Sequence, residues 1–276
     1  MSEIYTPTVL SIAGSDTYGG AGIQVDAKTI HTLGAYAFTS ITALTAQNST
    51  GVKTVSATSK EMFKEQLESI LDDVQVDAVK VGMLANVEIV SAVVDAIDKY
   101  KLKNIVLDTA LVSSSGKSLL ESSAIEMMVK ELFPRVDVIT PNIPEVNTLL
   151  ATSYMGCEDE VNAMANALFG LGVNAVLIKG GHSPNKENAI DYLVEKSLIK
   201  KPLDLKAYST PRLTTTHTHG TGCVLSSAIA THLALGHNLA KSVELSKAFL
   251  YKSLQASSSL RFMYIKEVKG RKEPIL

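Results

Sequence analysis

Hydrophobic positions along this chain follow two rhythms: short β-branched or apolar runs, and longer stretches in which apolar residues recur at helical spacing. Residues 8–13 form the first run. They lead into Gly14-Ser15-Asp16-Thr17-Tyr18-Gly19-Gly20-Ala21-Gly22 and a helical pattern reaching Leu33, which predicts strand, glycine loop and helix. Residues 37–45 are again β-rich and end in the polar cluster Ala46-Gln47-Asn48-Ser49. Thr58-Ser59-Lys60-Glu61 reads as a capping box opening a helix whose Phe63, Leu67, Ile70, Leu71 and Val74 share one face. Strands are expected at 77–83 and 104–108, with Asn86 capping a helix between them that carries the stripe Ile89, Val90, Val93, Val94 and Ile97.

A Ser-rich loop at 109–116 and a capping box at Ser123-Ala124-Ile125-Glu126 come next, then a strand at 136–140 that meets Pro141-Asn142-Ile143-Pro144-Glu145. A helix over about 158–171 precedes a strand at 174–179 and Gly180-Gly181-His182. Residues 189–195 and 205–209 read as shorter antiparallel or edge strands. The loop His219-Gly220-Thr221-Gly222-Cys223 enters a helix marked by Val224, Leu225, Ala228, Ile229, His232 and Leu233 and stopped by Gly236. Asn238 caps a final helix to about 258, and the basic tail at about 259–276 fits no element. About six strands alternating with helices predict an α/β, three-layer αβα fold, its central sheet mainly parallel and covered on both faces.

Length favours one domain over residues 1–276. With 46% apolar residues, 20% charged and no Trp, the composition is that of a soluble globular protein. A net charge of −2 offers no basic field for nucleic acid. No apolar run reaches membrane-spanning length, and the first residues lack a signal peptide, so a cytoplasmic protein with no membrane partner is expected. Cys157 and Cys223 make no disulfide framework. His217, His219 and Cys223 would make a zinc site only with a fourth ligand, for which the sequence offers no source.

The chemistry-bearing residues all follow strands, and so fall on one rim of the sheet. Gly220, Thr221, Gly222 and Cys223 stand at a helix entry, where backbone N–H groups lack intrahelical partners and can cradle a phosphate. The same helix end is expected to lower the pKa of Cys223 and fit its thiol for proton work. Asp108 ends a strand where carboxylates hold metal or loop backbone, Asn142 and Glu145 offer oxygen to Mg²⁺ or cap a helix, and Lys179 is aimed at phosphate or solvent. Gly14 belongs to the first glycine loop, Asp26 lies in the first turns of the helix behind it, and Met83 is core filler or pocket wall. The first glycine loop matches neither a P-loop, having no Lys-Ser/Thr pair, nor a dinucleotide fingerprint, which argues against a Rossmann oxidoreductase.

Together the segments Ile12–Asp16, Gly19–Asp26, Gly82-Met83-Leu84, Thr140–Glu145, Ile178–His182 and His219–Cys223 make the chain resemble the hydroxymethylpyrimidine and hydroxymethylpyrimidine-phosphate kinases of thiamine synthesis, in the ribokinase-like superfamily. The resemblance implies ATP as donor with Mg²⁺, Lys179 on its phosphates, Asn142 and Glu145 organising metal through water, and Gly220 to Cys223 around the transferred group. It implies Gln47 and Asp26 as readers of the pyrimidine, Met83 and the backbone near Ala110 packing its ring, and a homodimer. Cys223 stands where ribokinase relatives usually carry Asp. Asp108-Thr109-Ala110 and Ser113-Ser114-Ser115 depart from the family's Asp-Pro-Val and loop Lys, so the phosphate grip is expected to differ there. The competing readings are a pyridoxal or pyridoxine kinase, against which Gln47 argues, and a noncatalytic pyrimidine-binding regulator.

Overall fold

A computed structural model describes residues 5–48, 51–111, 120–196 and 205–257. The Ser113–Ser115 segment, Ser49, Lys200, Lys201 and the basic tail lie outside the described residues. The chain runs β1 (Thr8–Asp16), α1 (Gly22–Thr32), β2 (Tyr36–Asn48), β3 (Gly51–Ala57), α2 (Lys60–Leu71), β4 (Ala78–Val81), α3 (Val87–Tyr100) and β5 (Ile105–Leu107). It continues α4 (Ser122–Met127), β6 (Val138–Ile139), α5 (Ile143–Leu150), α6 (Val161–Gly170), β7 (Ala175–Ile178), β8 (Asn188–Glu195), β9 (Lys206–Pro211), α7 (Thr221–Ala234) and α8 (Leu239–Ala256). One nine-stranded sheet has the order β3-β2-β1-β4-β5-β6-β7-β8-β9. Strands β2, β1, β4, β5, β6 and β7 are parallel, while β3 pairs antiparallel at one end and β8 and β9 at the other.

Strand parity sorts the core into two layers. Leu10, Ile12, Val79, Val81, Ile105, Leu107, Val176 and Ile178 face α2 to α6. Their neighbours Val9, Ala78, Val106, Ala175 and Leu177 face α1, α7 and α8. Continuing the second parity toward the strand ends brings Lys80, Asp108 and Lys179 onto the α7 side. Lys80 is fully buried there, its Nζ 2.8 Å from Asp26 Oδ2. Asp26 also accepts from Ser11 Oγ at 2.6 Å and Ser227 Oγ at 2.7 Å, so one carboxylate joins β1, β4, α1 and α7.

Several local expectations are corrected. Gly14-Ser15-Asp16 is strand, because β1 continues past a register shift to pair Asp16 with Thr45. Ala46, Gln47 and Asn48 lie within β2 and pair with β3, a strand the sequence does not announce because its side chains are exposed or half-exposed. Ser59, not Thr58, caps α2, accepting from the Met62 N–H, while Thr58 donates to the Ile41 carbonyl. Ser123 does not cap α4: the N-cap is Glu121, without a side-chain hydrogen bond. Asn86 and Asn238 cap α3 and α8 as expected.

Breaking the Lys80–Asp26 pair leaves a charge buried without compensation. Lys80→Met should lower unfolding free energy by about 3–5 kcal/mol, and Lys80→Met/Asp26→Asn should recover most of the loss. Urea unfolding of the two variants checks this; a single variant as stable as the unmodified protein contradicts the assignment.

Candidate active site

α7 begins directly over the carboxyl ends of β4, β5 and β7. Gly220 is its N-cap with φ of 83°. A Cβ at this position would lie 1.7 Å from the Gly20 carbonyl oxygen, so only glycine permits the loop before α1 to touch the loop before α7. Asp16 and His219 fasten the same contact, with Oδ2 and Nε2 3.0 Å apart. The Asp16 carboxylate also accepts from the N–H groups of Tyr18, Gly20 and Ala21, at 2.8, 3.1 and 2.8 Å. Burial opposes its charge, but His219 and these N–H groups hold it below the usual carboxylate range.

Beneath the first turn of α7 sits a charged cluster. Lys179 Nζ lies 3.0 Å from Asp108 Oδ1 and 3.9 Å from Glu145 Oε2. Asp108 also accepts from Thr140 Oγ1 at 3.3 Å and Ser226 Oγ at 3.4 Å. A Cβ at Gly222 would lie 3.2 Å from Asp108 Oδ2 and 3.4 Å from Lys179 Nζ, so the helix entry rests on these two groups. Burial opposes the ionisation of Asp108, but Lys179 and Lys80 together hold it low. Burial likewise opposes the charge on Lys179, and Asp108 and Glu145 overcome it to push its pKa up. Glu145 is shifted upward, chiefly by burial and further by Asp108, with Lys179 pulling the other way.

Asn142 and Glu145 form a reciprocal capping box on α5: Asn142 Oδ1 accepts from the Glu145 N–H at 2.9 Å, and Glu145 Oε2 from the Asn142 N–H at 2.8 Å. The capping reading of this pair holds, and Glu145 faces Lys179 while it caps. Among the described residues His, Cys, Asp and Glu side chains form no group of three or more placed to hold a metal, and His217, His219 and Cys223 make none.

A cavity of about 670 Å³ runs along this rim. Taken in strand order along the rim, Gln47, Gly14 and Met83 wall one arm; Asp108, Ala110, Asn142, Glu145, Lys179 and Gly220 to Cys223 line the middle; Asp191, Arg212, Lys247 and Tyr251 are in the other arm. Twelve of the thirteen residues expected at a site therefore border one space, and Asp26 does not. Its oxygens are spent on Lys80, Ser11 and Ser227, so Asp26 supports the floor rather than reading a ligand. The cation it holds, Lys80, reaches the cavity, as do His219, Asp191 and Lys247, none of which the motifs singled out for a site role except His219. The signal for Lys80 was present: a lysine inside a short apolar strand flanked by helices on both faces.

Cys223 overturns a second expectation. Burial pushes its thiol up to about 11, with Asp26 and Asp108 adding to the rise, while Lys80 and the Gly22 N–H oppose it. Desolvation and two carboxylates outweigh the helix end.

This sheet, with a helix N-terminus and a buried lysine converging on a rim cavity, defines a ribokinase-like small-molecule kinase. The family model described as phosphomethylpyrimidine kinase matches residues 16–267, and the chain belongs to that family. Hydroxymethylpyrimidine/phosphomethylpyrimidine kinase from Salmonella typhimurium is 41% identical over 251 residues, 91% of this chain and 92% of that protein. The crystal structure of phosphomethylpyrimidine kinase from Clostridium difficile 630 matches with a TM-score of 0.77 at 38% identity, covering 90% of this chain and 99% of that one. An ADP complex of Bacillus subtilis pyridoxal kinase matches with a TM-score of 0.85 at 29% identity, covering 95% and 98%. Among the described residues no helix is long and apolar enough to cross a membrane.

With its pKa near 11, Cys223 should be only about one part in a thousand thiolate at pH 8. In a Cys157→Ser background, iodoacetamide should modify Cys223 slowly, the rate rising about tenfold per pH unit to about pH 10. A rate already level between pH 7 and 8 would mean a preformed thiolate.

Proposed function

We propose that the protein transfers the γ-phosphoryl group of ATP to the hydroxyl of 4-amino-5-hydroxymethyl-2-methylpyrimidine, and then transfers a second to the resulting monophosphate, in thiamine biosynthesis. One observation carries the reading: a single cavity joins the amide-bearing arm at Gln47 to the helix entry at Gly220–Cys223, with Lys179 alongside.

In the first arm, Gln47 offers both a donor and an acceptor to an aminopyrimidine edge, with Met83, Gly14 and Ala110 against the ring. The acceptor oxygen then lies toward Cys223, and the nucleotide enters from the arm lined by Arg212 and Tyr251. Lys179 neutralises the phosphates, and the N–H groups of Gly220 to Cys223 meet the charge spread over the transferring group. A bond forms between the acceptor oxygen and the γ-phosphorus as the bond to the bridging oxygen breaks, and ADP leaves. Since the thiol keeps its own proton at neutral pH, Cys223 orients the acceptor hydroxyl by accepting its hydrogen bond, and the hydroxyl proton passes late, as a loose transition state allows, to an oxygen of the transferred phosphoryl group and from there to solvent. The second transfer starts from a phosphate oxygen that is already an anion and needs no such help.

Glu145 and Asp108 fit a cation arriving with the nucleotide: the buried Glu145 carboxyl is incompletely compensated by Lys179, and an ion held through water needs only one or two carboxylates. Mg²⁺ would be held by Glu145 and Asp108, with Asn142 beside them. When bound, it neutralises phosphate charge and orients the transferred group. We extend the reading to a cytoplasmic homodimer, for which the exposed apolar side chains Leu44 (59%) and Met62 (52%), near the β2–β3 end of the sheet, are a supporting feature.

The match to a pyridoxal kinase supports a second reading, pyridoxal as acceptor. Turnover of ATP and Mg²⁺ with the hydroxymethylpyrimidine, with products resolved and pyridoxal run in parallel, separates the two. The diphosphate is expected; pyridoxal phosphate as the only product would select the second reading, and pyrimidine binding without turnover would leave a binding protein. Gln47→Met should lower kcat/KM for the pyrimidine relative to pyridoxal by roughly tenfold, the worth of one well-made hydrogen bond. An unchanged ratio contradicts the role of Gln47. Cys223→Ala should slow the first transfer roughly tenfold more than the second, and equal losses would remove the thiol from the hydroxyl step.

A further inference from the structure

A second buried lysine–carboxylate pair lies in the nucleotide arm of the cavity, away from the motifs. Lys247 of α8 donates from Nζ to Asp191 Oδ2 at 2.7 Å, and side-chain exposures are 9% and 4%. The other oxygen, Asp191 Oδ1, accepts from the Gly180 N–H at 2.9 Å. Asp191 thus stands between α8 and the main chain immediately after Lys179. Parity explains the placement: Leu193 of β8 faces α7 and α8, and Asp191, two residues earlier, shares its side.

Backbone and one arginine hold the segment it grips elsewhere. The Lys179 N–H donates to the Pro141 carbonyl at 2.8 Å, and a Cβ on Gly180 would lie 1.9 Å from the Ile190 carbonyl oxygen. Arg212 closes the far end, donating to the carbonyls of Gly181 and Asn185 at 2.8 Å each. In this clamp the Asp191 bond to Gly180 is charge-assisted, and Lys247 balances its charge. α8 also contributes Leu250, Tyr251 and Leu254 to the cavity wall.

Resting on the reading that Lys179 meets the nucleotide phosphates, we propose that Asp191 and Lys247 are positioning residues for phosphoryl transfer, fixing the Lys179–Gly181 backbone, and with it the Lys179 ammonium, against the α8 wall. Neither side chain is required to touch a reacting atom. Displacing a phosphate-binding cation by a fraction of an ångström changes kcat more than it changes acceptor binding.

The chemistry of the pair predicts an unusual pattern. In Asp191→Asn the single amide oxygen is drawn to Lys247, and the amide N–H₂ is left facing the Gly180 N–H. Lys247→Met leaves the Asp191 charge buried and unpaired. In the double variant Asp191→Asn/Lys247→Met the amide oxygen can turn to Gly180 with no charge left behind. kcat, KM for ATP and KM for the pyrimidine are measured on folded protein for the three variants, with thermal unfolding and direct titration of a nonhydrolysable ATP analogue alongside. Lys179→Ala serves as the reference for the phosphate reading. Each single variant should lose on the order of tenfold to a hundredfold in kcat with KM for the pyrimidine within about twofold, and the double variant should regain most of the Asp191→Asn loss. Analogue affinity should fall in step with any rise in KM for ATP. Unchanged kcat in folded Asp191→Asn, or a double variant as slow as the product of the single losses, would overturn the proposal. Should Lys247→Met fail to fold, Asp191→Asn alone still decides it. Full turnover in Lys179→Ala would instead break the reading beneath, whereas a crippled Lys179→Ala beside a fully active Asp191→Asn would break only the positioning claim.

Discussion

The ion pair between Lys80 and Asp26 is the constraint from which the site follows. Two opposite charges are removed from water in the middle of a sheet, and a buried pair is tolerable only when its remaining hydrogen-bonding capacity is met. Ser11 and Ser227 meet part of it. Because those partners come from β1 and α7, satisfying the pair sets how α7 lies across the sheet. That placement puts the first turn of α7 over Asp108 and Lys179, where unpaired N–H groups can face a phosphate. An apolar pair would pack as well, but it would not specify this arrangement of four elements.

The same motif recurs along the rim. Lys80 with Asp26 and Lys247 with Asp191 each join a buried ammonium to a buried carboxylate on the α7–α8 side of the sheet, and between them the half-buried Lys179 meets the buried Asp108. Five of the six groups lie in or just beyond strands β4, β5, β7 and β8, or on the helices directly over them, and parity directs the strand residues to one face. A polyanionic ligand thus meets fixed charges that need little reorganisation. Cys223 sits among them and is held as a thiol by burial and by the carboxylates below it. In the proposed transfer, proton removal is therefore a matter of orientation and a late departure, not of a resident thiolate.

Much of this was legible in the sequence. Hydrophobic rhythm located the parallel strands and the caps Asn86 and Asn238, and residues following strands gathered on one rim as expected. What stayed hidden has physical causes. Strand β3 lies on an exposed edge, so it carries little apolar signal. Lys80, Asp191 and Lys247 look like ordinary charged residues until the partner across space is known. Asp26 was visible as a polar residue near a glycine loop, but whether it faces ligand or core depends on Lys80, fifty-four positions away. For Cys223 the helix end was legible, whereas the desolvation that outweighs it comes from long-range packing. Asn142 and Glu145 could be read two ways because a cap and a metal ligand use the same oxygens; the fold shows the cap, with Glu145 Oε2 3.9 Å from Lys179 Nζ.

The central claim is that one cavity performs both transfers, so the hydroxymethylpyrimidine and its monophosphate must occupy the same place against Gln47 and the α7 entry. The most direct test is to use the monophosphate as an inhibitor of the first transfer, measured by initial rates at saturating ATP and Mg²⁺. Strict competition with the hydroxymethylpyrimidine, with an inhibition constant equal to the monophosphate's own KM as substrate, is the predicted result. Noncompetitive inhibition, or two constants that disagree, would place the second transfer at another site and contradict the account.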